Sequence, residues 1–466
     1  MGLATRNPDE GRLATVRLSA NIEIQTPACL SYTRFGSIPH IVDPAETLSK
    51  DVSSVLNATT EQFLDMVVPM AKLHQPSGEC IESSQDLFEH LSVDAEGTAI
   101  IATPFDVLRL PEIGEWVAST KTAVGMMARL DRNVQVTPAM FVDVLKRLKP
   151  TIAVCMADLE KSLYDKGSGA QKPSSRTQLR KRSMRNINYL SAIVELWKQE
   201  SEAKTCLFAP LTGEHDWVER RFVTEQVESI SNEANDTIKG YAVYLPPADS
   251  TFPRGTKLAD YVKASLDPLQ DRSKPVIVLG VTRVQDCVSL IAQGVDLIDD
   301  SMVTSLSNSG IALFCSFARS VSLSYHKLDV AATSTGSKTH FALLHPHVIH
   351  ADLNPTATLK MRLAHGSAVN NTLESSDGQQ GLSHETNSNS VWRSDCLPLS
   401  PNCGCWTCKR PHSRAYIHHL LTVNDMLAYV LLMYHNSFQF QSFVDEIRHS
   451  LKGGSFDDLA RAFDDV

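Results

Sequence analysis

The chain has 466 residues, 42% hydrophobic and 21% charged, which is enough apolar surface for a sizeable core and too much for a wholly disordered polymer. Its 44 Lys and Arg against 53 Asp and Glu give a net charge of −9, so bulk electrostatics does not draw it to nucleic acid and any such contact needs a local basic patch. No run approaches the roughly 20 apolar residues of a membrane-spanning helix.

The first residues, with Arg6, Asp9, Glu10 and Arg12, lack the apolar core of a secretory signal. Arg6 also stands where an N-myristoylation pattern needs Ser or Thr. Short apolar, β-branched runs then recur at Ala28–Thr33, Thr98–Thr103, Thr151–Met156, Thr205–Leu211, Gly240–Leu245, Pro275–Val281 and Val295–Ile298, with Ile311–Phe317 after them. Between them, Ala139–Leu148 and Val284–Ala292 repeat apolar residues at three- and four-residue steps. Strands alternating with helices predict parallel pairing through crossover helices. About eight such strands predict an α/β fold closed as a (β/α)₈ TIM barrel, whose chemistry would lie just beyond the C-terminal ends of its strands.

Two stretches break this rhythm. Lys166–Asn186 reads as an exposed loop running into a basic helix that carries Arg176, Arg180, Lys181, Arg182 and Arg185. This is either a solvated face or a track for RNA phosphates. From Gly366 to Asn389 Ser, Asn, Gly, Gln and Thr dominate, too little apolar surface to offset the entropy of ordering, so a disordered insertion is expected.

The densest chemical signal is Cys403-Gly404-Cys405-Trp406-Thr407-Cys408. Three thiols in one tight loop suit a tetrahedral ion, and ten cysteines in so long a chain suit a reducing compartment better than a disulfide framework. The cytosol is therefore the expected location. The fourth ligand is open among His412, His418, His419 and His435. His412 follows Cys408 too closely to complete the tetrahedron without strain. His435 stands beside the apolar helix face of Leu427, Val430, Leu431 and Tyr434, so a helix returning across the loop could deliver it. The expectation is one Cys₃His Zn²⁺, closed and structural, contributing folding energy rather than an activated water. These signals divide the chain into a barrel domain over 1–360, a low-complexity insertion over 361–395, and a zinc-binding subdomain with C-terminal helices over 396–466.

Cys403, Cys405 and Cys408, followed by Ala415-Tyr416-Ile417-His418-His419-Leu420 and His435-Asn436, resemble the zinc region of the tRNA-guanine transglycosylase family. Ile24-Gln25-Thr26-Pro27-Ala28, Val136-Thr137-Pro138, Lys274–Val281 and Gly294–Asp299 resemble further stretches of that family. The resemblance implies a barrel with a zinc subdomain and exchange of guanine for queuine or its precursor at the wobble position of tRNAs with GUN anticodons, those for Asp, Asn, His and Tyr. In catalytic members one Asp attacks the ribose C1′ and a second handles the protons.

Asp299 falls on the nucleophile position, but the residues after it, Asp299-Asp300-Ser301-Met302-Val303-Thr304-Ser305, lack the family's Pro and Arg. No loop upstream of Val136 matches the family's DSGGFQ, so the second acid is expected to be missing. The base-reading QGG is Leu211-Thr212-Gly213, and GGLAVGE is Tyr244-Leu245-Pro246-Pro247. What the resemblance implies is therefore a noncatalytic half of a heterodimer, whose partners are the catalytic subunit and tRNA, with Asp299 idle. The noncatalytic branch also implies peripheral association with the mitochondrial outer membrane. An active transglycosylase in which Asp299 attacks with help from Asp300, and an independent zinc-containing nucleic-acid-binding module, are the alternatives.

Overall fold

The computed structural model describes residues 13–17, 22–41, 55–67, 86–108, 119–128, 132–159, 175–200, 204–234, 237–245, 258–284, 286–316, 347–352, 395–400, 403–457 and 459–460. The insertion expected over 361–395 lies outside them apart from Asp395, as does the expected boundary at 360. The chain divides into two compact units, 1–39 with 49–302, and 40–48 with 303–466.

The first unit opens with β1 (Ala14–Arg17) antiparallel to β2 (Glu23–Thr26). Then come β3 (Ala28–Tyr32), β4 (Val55–Thr59), helices α1 (Thr60–Val67) and α2 (Leu87–Leu91), and β5 (Ala99–Thr103). An antiparallel ribbon of β6 (Val124–Ala128) and β7 (Arg132–Val136) precedes α3 (Pro138–Leu148) and β8 (Ile152–Val154). Strand and helix then alternate: α4 (Arg176–Trp197), β9 (Cys206–Leu211), α5 (Trp217–Glu233), β10 (Ile238–Tyr244), α6 (Leu258–Leu266), β11 (Val276–Leu279), α7 (Asp286–Ala292) and β12 (Leu297–Asp299). The strands β3, β4, β5, β8, β9, β10, β11 and β12 close in that order into an all-parallel barrel, the architecture expected from the alternation.

Seven of the expected runs supply barrel strands, and two details differ. The run at Ile311–Phe317 is not one of them: Ile311–Ser316 pairs antiparallel with His347–Asp352 outside the barrel. Its place is taken by β4, whose Val-Leu-Asn-Ala-Thr sequence hides a fully buried strand. The polar residues of β4 are tolerated because neighbours satisfy them: Thr103 donates its hydroxyl to Asn57 Oδ1 at 2.8 Å, and Thr33 donates to the Asn57 carbonyl at 2.6 Å.

Every second strand residue points inward. Leu30, Val55, Ala99, Ile101, Ile152, Val154, Phe208, Ala242, Ile277, Leu279 and Leu297 form one cluster, joined by Val16, Ile22 and Ile24 of the N-terminal hairpin region. Gly240 makes room for the largest of these: a Cβ there would lie 2.4 Å from the Phe208 ring. The helices start where side-chain oxygens cap them. Thr137 accepts from Met140 N with Pro138 at the first turn, Ser175 and Gln178 form a reciprocal capping box on α4, and Asp216 caps α5.

Helix α8 (Ser301–Asn308) follows β12. The second unit contains β13 (Ile311–Ser316), β14 (His347–Asp352), the one-turn α9 (Trp406–Lys409), α10 (Arg414–Thr422) and the long α11 (Met426–Lys452). Asp425 caps α11 by accepting from Leu427 N. The core of this unit is Ala312, Leu399, Ile417, Leu420, Leu421, Ala428, Leu431 and Leu432. Among the described residues no helix is long and apolar enough to cross a membrane.

Candidate metal centre and the barrel mouth

The second unit brings Cys403, Cys405, Cys408 and His435 together, with all ligand atoms within 4.8 Å of one another. Cys405 opens the one-turn α9, so the first two thiols precede a tight turn and the third ends it. Backbone amides of Cys405, Cys408 and Ser400 donate to the sulfurs of Cys403, Cys405 and Cys408 at 3.4, 3.3 and 3.5 Å. Helix α11 crosses the turn and presents His435 Nδ1 at 3.7, 3.5 and 3.4 Å from the three sulfurs. Around a tetrahedral ion with Zn–S of about 2.3 Å and Zn–N of about 2.0–2.1 Å, neighbouring S and N ligand atoms are about 3.5 Å apart. The four side chains fit that ion.

With Nδ1 facing the thiols, Nε2 carries the proton and donates to Leu313 O at 2.9 Å, fixing the ring as an outer hydrogen bond fixes a ligating imidazole. Next to it the wholly buried Asn436 accepts from Leu313 N at 2.7 Å and donates to Ile311 O and Ser307 Oγ, both at 2.9 Å. The Gln439 amide donates to Cys403 Sγ at 3.2 Å. Hydrogen bonds from Cys405 and Cys408 lower the Cys403 thiol while the same contacts raise Cys408, so the three sulfurs share their protons. The other candidate histidines are elsewhere: His412 stacks on Trp406 and Tyr416 at 5.8 Å each, His418 is buried on α10, and His419 is exposed.

In the barrel, Asp299 ends β12 and is wholly buried. Its Oδ2 accepts from Ser301 Oγ at 2.6 Å and Gly280 N at 3.3 Å, while Oδ1 accepts from Ser301 N at 3.2 Å. The carboxylate thus holds the first turn of α8. Burial lifts its pKa to about 6 against these hydrogen bonds, which lower it. Burial lifts the neighbouring Asp300 further, to about 8; Tyr32 N, donating at 2.6 Å, opposes the rise, and the Asp299 charge adds to it.

One acid outside the family's motifs bears on Asp299. Asp106, just past β5, lies close enough for its charge to help raise Asp299. Its oxygens accept from Tyr32 Oη at 2.9 Å, Gln62 Nε2 at 2.7 Å and Leu108 N at 2.9 Å, and its own amide donates to Glu61. Asp106 acts here as an acceptor for donors already in place.

Arginines tie together the segments that follow β8, β9 and β10. Arg220, wholly buried, donates to Glu214 O at 2.8 Å, Ser265 Oγ at 2.9 Å and Tyr244 O at 2.9 Å. Gly213, at φ +133°, lets it pass: a Cβ there would meet Arg220 Cγ at 2.6 Å. Of the basic residues on α4, Arg176 pairs with Asp216, Arg180 with Glu219, Arg182 with Asp158 and Glu214, and Arg185 with Asp158. Lys181 is exposed. Asp158 also takes Asn186 into its surroundings: Asn186 Oδ1 accepts from Asp158 N at 2.6 Å, and its amide donates to Thr212 Oγ1 at 3.1 Å.

Sequence reasoning missed Asp106, Asp158 and Arg220. The signal for the two acids was position, since each stands a few residues beyond the C-terminal end of a strand. No local signal marked Arg220.

A family model described as queuine tRNA-ribosyltransferase matches residues 9–465. Among similar proteins is the queuine tRNA-ribosyltransferase accessory subunit 2 of Gallus gallus, 24% identical over 462 residues, which cover 97% of this chain and 93% of that protein. The Homo sapiens protein of the same name is 23% identical over 446 residues, covering 95% of this chain and 93% of the relative. That of Drosophila melanogaster is 22% identical over 448 residues, covering 95% and 87%. A barrel of this topology, a Cys₃His cluster of these dimensions and a match over almost the whole length agree: the chain belongs to the queuine tRNA-ribosyltransferase family.

Proposed function

We propose that this chain is the noncatalytic subunit of a heterodimeric queuine tRNA-ribosyltransferase. It holds tRNA and steadies the catalytic subunit while that subunit exchanges guanine for queuine at the wobble position of tRNAs with GUN anticodons. One observation carries the reading: the carboxylate at the nucleophile position, Asp299, is spent on three donors of its own chain. A nucleophile needs an accessible lone pair and a partner able to give a proton to the leaving base. Asp106, the nearby candidate, already accepts from Tyr32, Gln62 and Leu108. The accessory subunits of the relatives carry names consistent with this role.

The cluster of Cys403, Cys405, Cys408 and His435 holds one Zn²⁺ in this reading. Four protein ligands leave no site for an activated water, so the ion serves the fold. The protein works in the cytosol, with peripheral attachment to the mitochondrial outer membrane as an accompaniment of its partner complex.

The competing reading, an active transglycosylase, draws support from one observation: burial lifts the pKa of Asp299 to about 6, and the charge of Asp106, past the end of a barrel strand, adds to the rise. Incorporation of labelled guanine into cognate tRNA separates the two. The purified chain should show no exchange alone, exchange should appear on adding the catalytic subunit, and Asp299→Ala should leave the rate of the complex within about twofold. Exchange by the lone chain, or its loss in the complex carrying Asp299→Ala, would favour the active enzyme.

A further inference from the structure

We propose that the exposed indole of Trp217, with Arg221 one turn further on and Arg176 paired to the adjacent Asp216, is a stacking platform for an unpaired base of the tRNA. This rests on the noncatalytic, tRNA-holding reading and gives it a specific surface. Helices α4 and α5 follow β8 and β9, so their first turns stand at the C-terminal rim of the barrel, the end that carries Asp158 and Asp299. Trp217 is the first residue of α5 and is 49% exposed, with Val218 beside it at 58%. Edge-on packing against Tyr261, with centroids 6.3 Å apart and planes at 72°, holds the ring in place.

Helix α4, which packs on α5, is rich in cations. Residues 176–185 contain five cations and no carboxylate, in a chain whose net charge is −9. In two of these pairs the carboxylate is the more buried member: the Glu219 side chain is 4% and that of Asp216 23% exposed, whereas Arg180 is 43% and Arg176 74% exposed. The guanidinium of Arg180 lies 3.7 Å over the Phe222 ring, so an aromatic already backs the strip. Lys181 is exposed, and so is Arg221, one turn after Trp217 and on the same face of α5. An exposed aromatic with exposed cations on its own and on the neighbouring helix suits a strand with π faces and phosphates at once. Unpaired RNA offers both, and stacking without base-edge readout suits a subunit that positions rather than reads.

The test uses the full heterodimer with the catalytic subunit and an unmodified tRNA transcript bearing a GUN anticodon. Trp217→Ala should weaken tRNA binding about tenfold, within the range for losing one stacked base, without changing the salt slope. Trp217→Phe should keep most of the affinity, because a ring remains. Arg221→Ala should flatten the plot of log K against log salt by about 0.7, the value for one single-strand phosphate contact. Unchanged affinity in Trp217→Ala would overturn the platform. So would release of the catalytic subunit with tRNA affinity intact, which would make Trp217 a protein contact. Guanine exchange by the lone chain is read in parallel and bears on the noncatalytic reading alone, so the two failures stay distinct.

Discussion

The Cys₃His cluster and the barrel mouth are both places where polar side chains converge, yet they converge differently. At the cluster, four donor atoms point at a common centre about one tetrahedron edge apart, and outer groups such as Leu313 O and Gln439 orient them without occupying that centre. At the mouth, each carboxylate is turned onto a hydroxyl, an amide or a guanidinium of its own chain. A metal site that stabilises a fold must keep its ligands whatever chemistry is done nearby. A catalytic pocket relieved of its reaction is free to fill itself, because closing unsatisfied polar groups onto each other stabilises the barrel.

The sharpest way to break this contrast is to attack the metal ligands. Cys405→Ser or His435→Ala should remove the ion and unfold the second unit, because structural zinc sites of small modules supply roughly 10–16 kcal/mol of apparent binding energy to folding. Metal analysis should give one zinc per wild-type chain and none per variant. Amide exchange should rise in α9, α10 and α11 while the barrel strands remain protected. A variant that keeps its ion, or protection in α11 without it, would separate the cluster from the stability of its unit.

Arg220 offers the matching test at the mouth. Arg220→Met retains the aliphatic stem but leaves Glu214 O and Tyr244 O without that donor in a dry site, a loss of about 3 kcal/mol. Urea denaturation of the barrel should show a lower midpoint at unchanged slope. An unchanged midpoint would mean that the guanidinium fills space without holding the loops. Smaller still is Gly240→Ala: the new methyl would press on Phe208, and overpacking of a barrel core costs about 1–3 kcal/mol.

What the sequence revealed follows the range of the interactions. The three cysteines are local, so their spacing announced a metal loop; His435 was reachable because helical periodicity places it beside Leu431 and Tyr434. Seven barrel strands showed as β-branched runs, but β4 did not, because the partners that make Asn57 acceptable, Thr33 and Thr103, lie 24 and 46 residues away. Ile311–Ser316 is as apolar as a barrel strand, and only its antiparallel partner at His347–Asp352 distinguishes it. The basic character of α4 was plain from composition. Its ion pairing was not, since Asp158, Glu214, Asp216 and Glu219 come from loops and a helix outside that segment.

The finest test of the contrast is the pH dependence of the barrel. Asp300 titrates near 8 and Asp299 near 6 in the fold, against about 3.9 for an unperturbed Asp. The folded state therefore holds protons that the unfolded chain has released, so stability falls as pH rises across that interval. The contribution is fully present below about 4; that of Asp299 is lost by about 6 and that of Asp300 through about 8. Asp300→Asn keeps an oxygen to accept from Tyr32 N and has no charge to desolvate. It should match wild type near pH 4, exceed it increasingly toward pH 8, and flatten the upper part of the curve, while Asp299→Asn should flatten only the lower part. Thermal melts from pH 4 to 9 in one buffer series would show this. Equal slopes in wild type and Asp300→Asn would mean that Asp300 ionises in place, and that the mouth has kept more water around its acids than its hydrogen bonds imply.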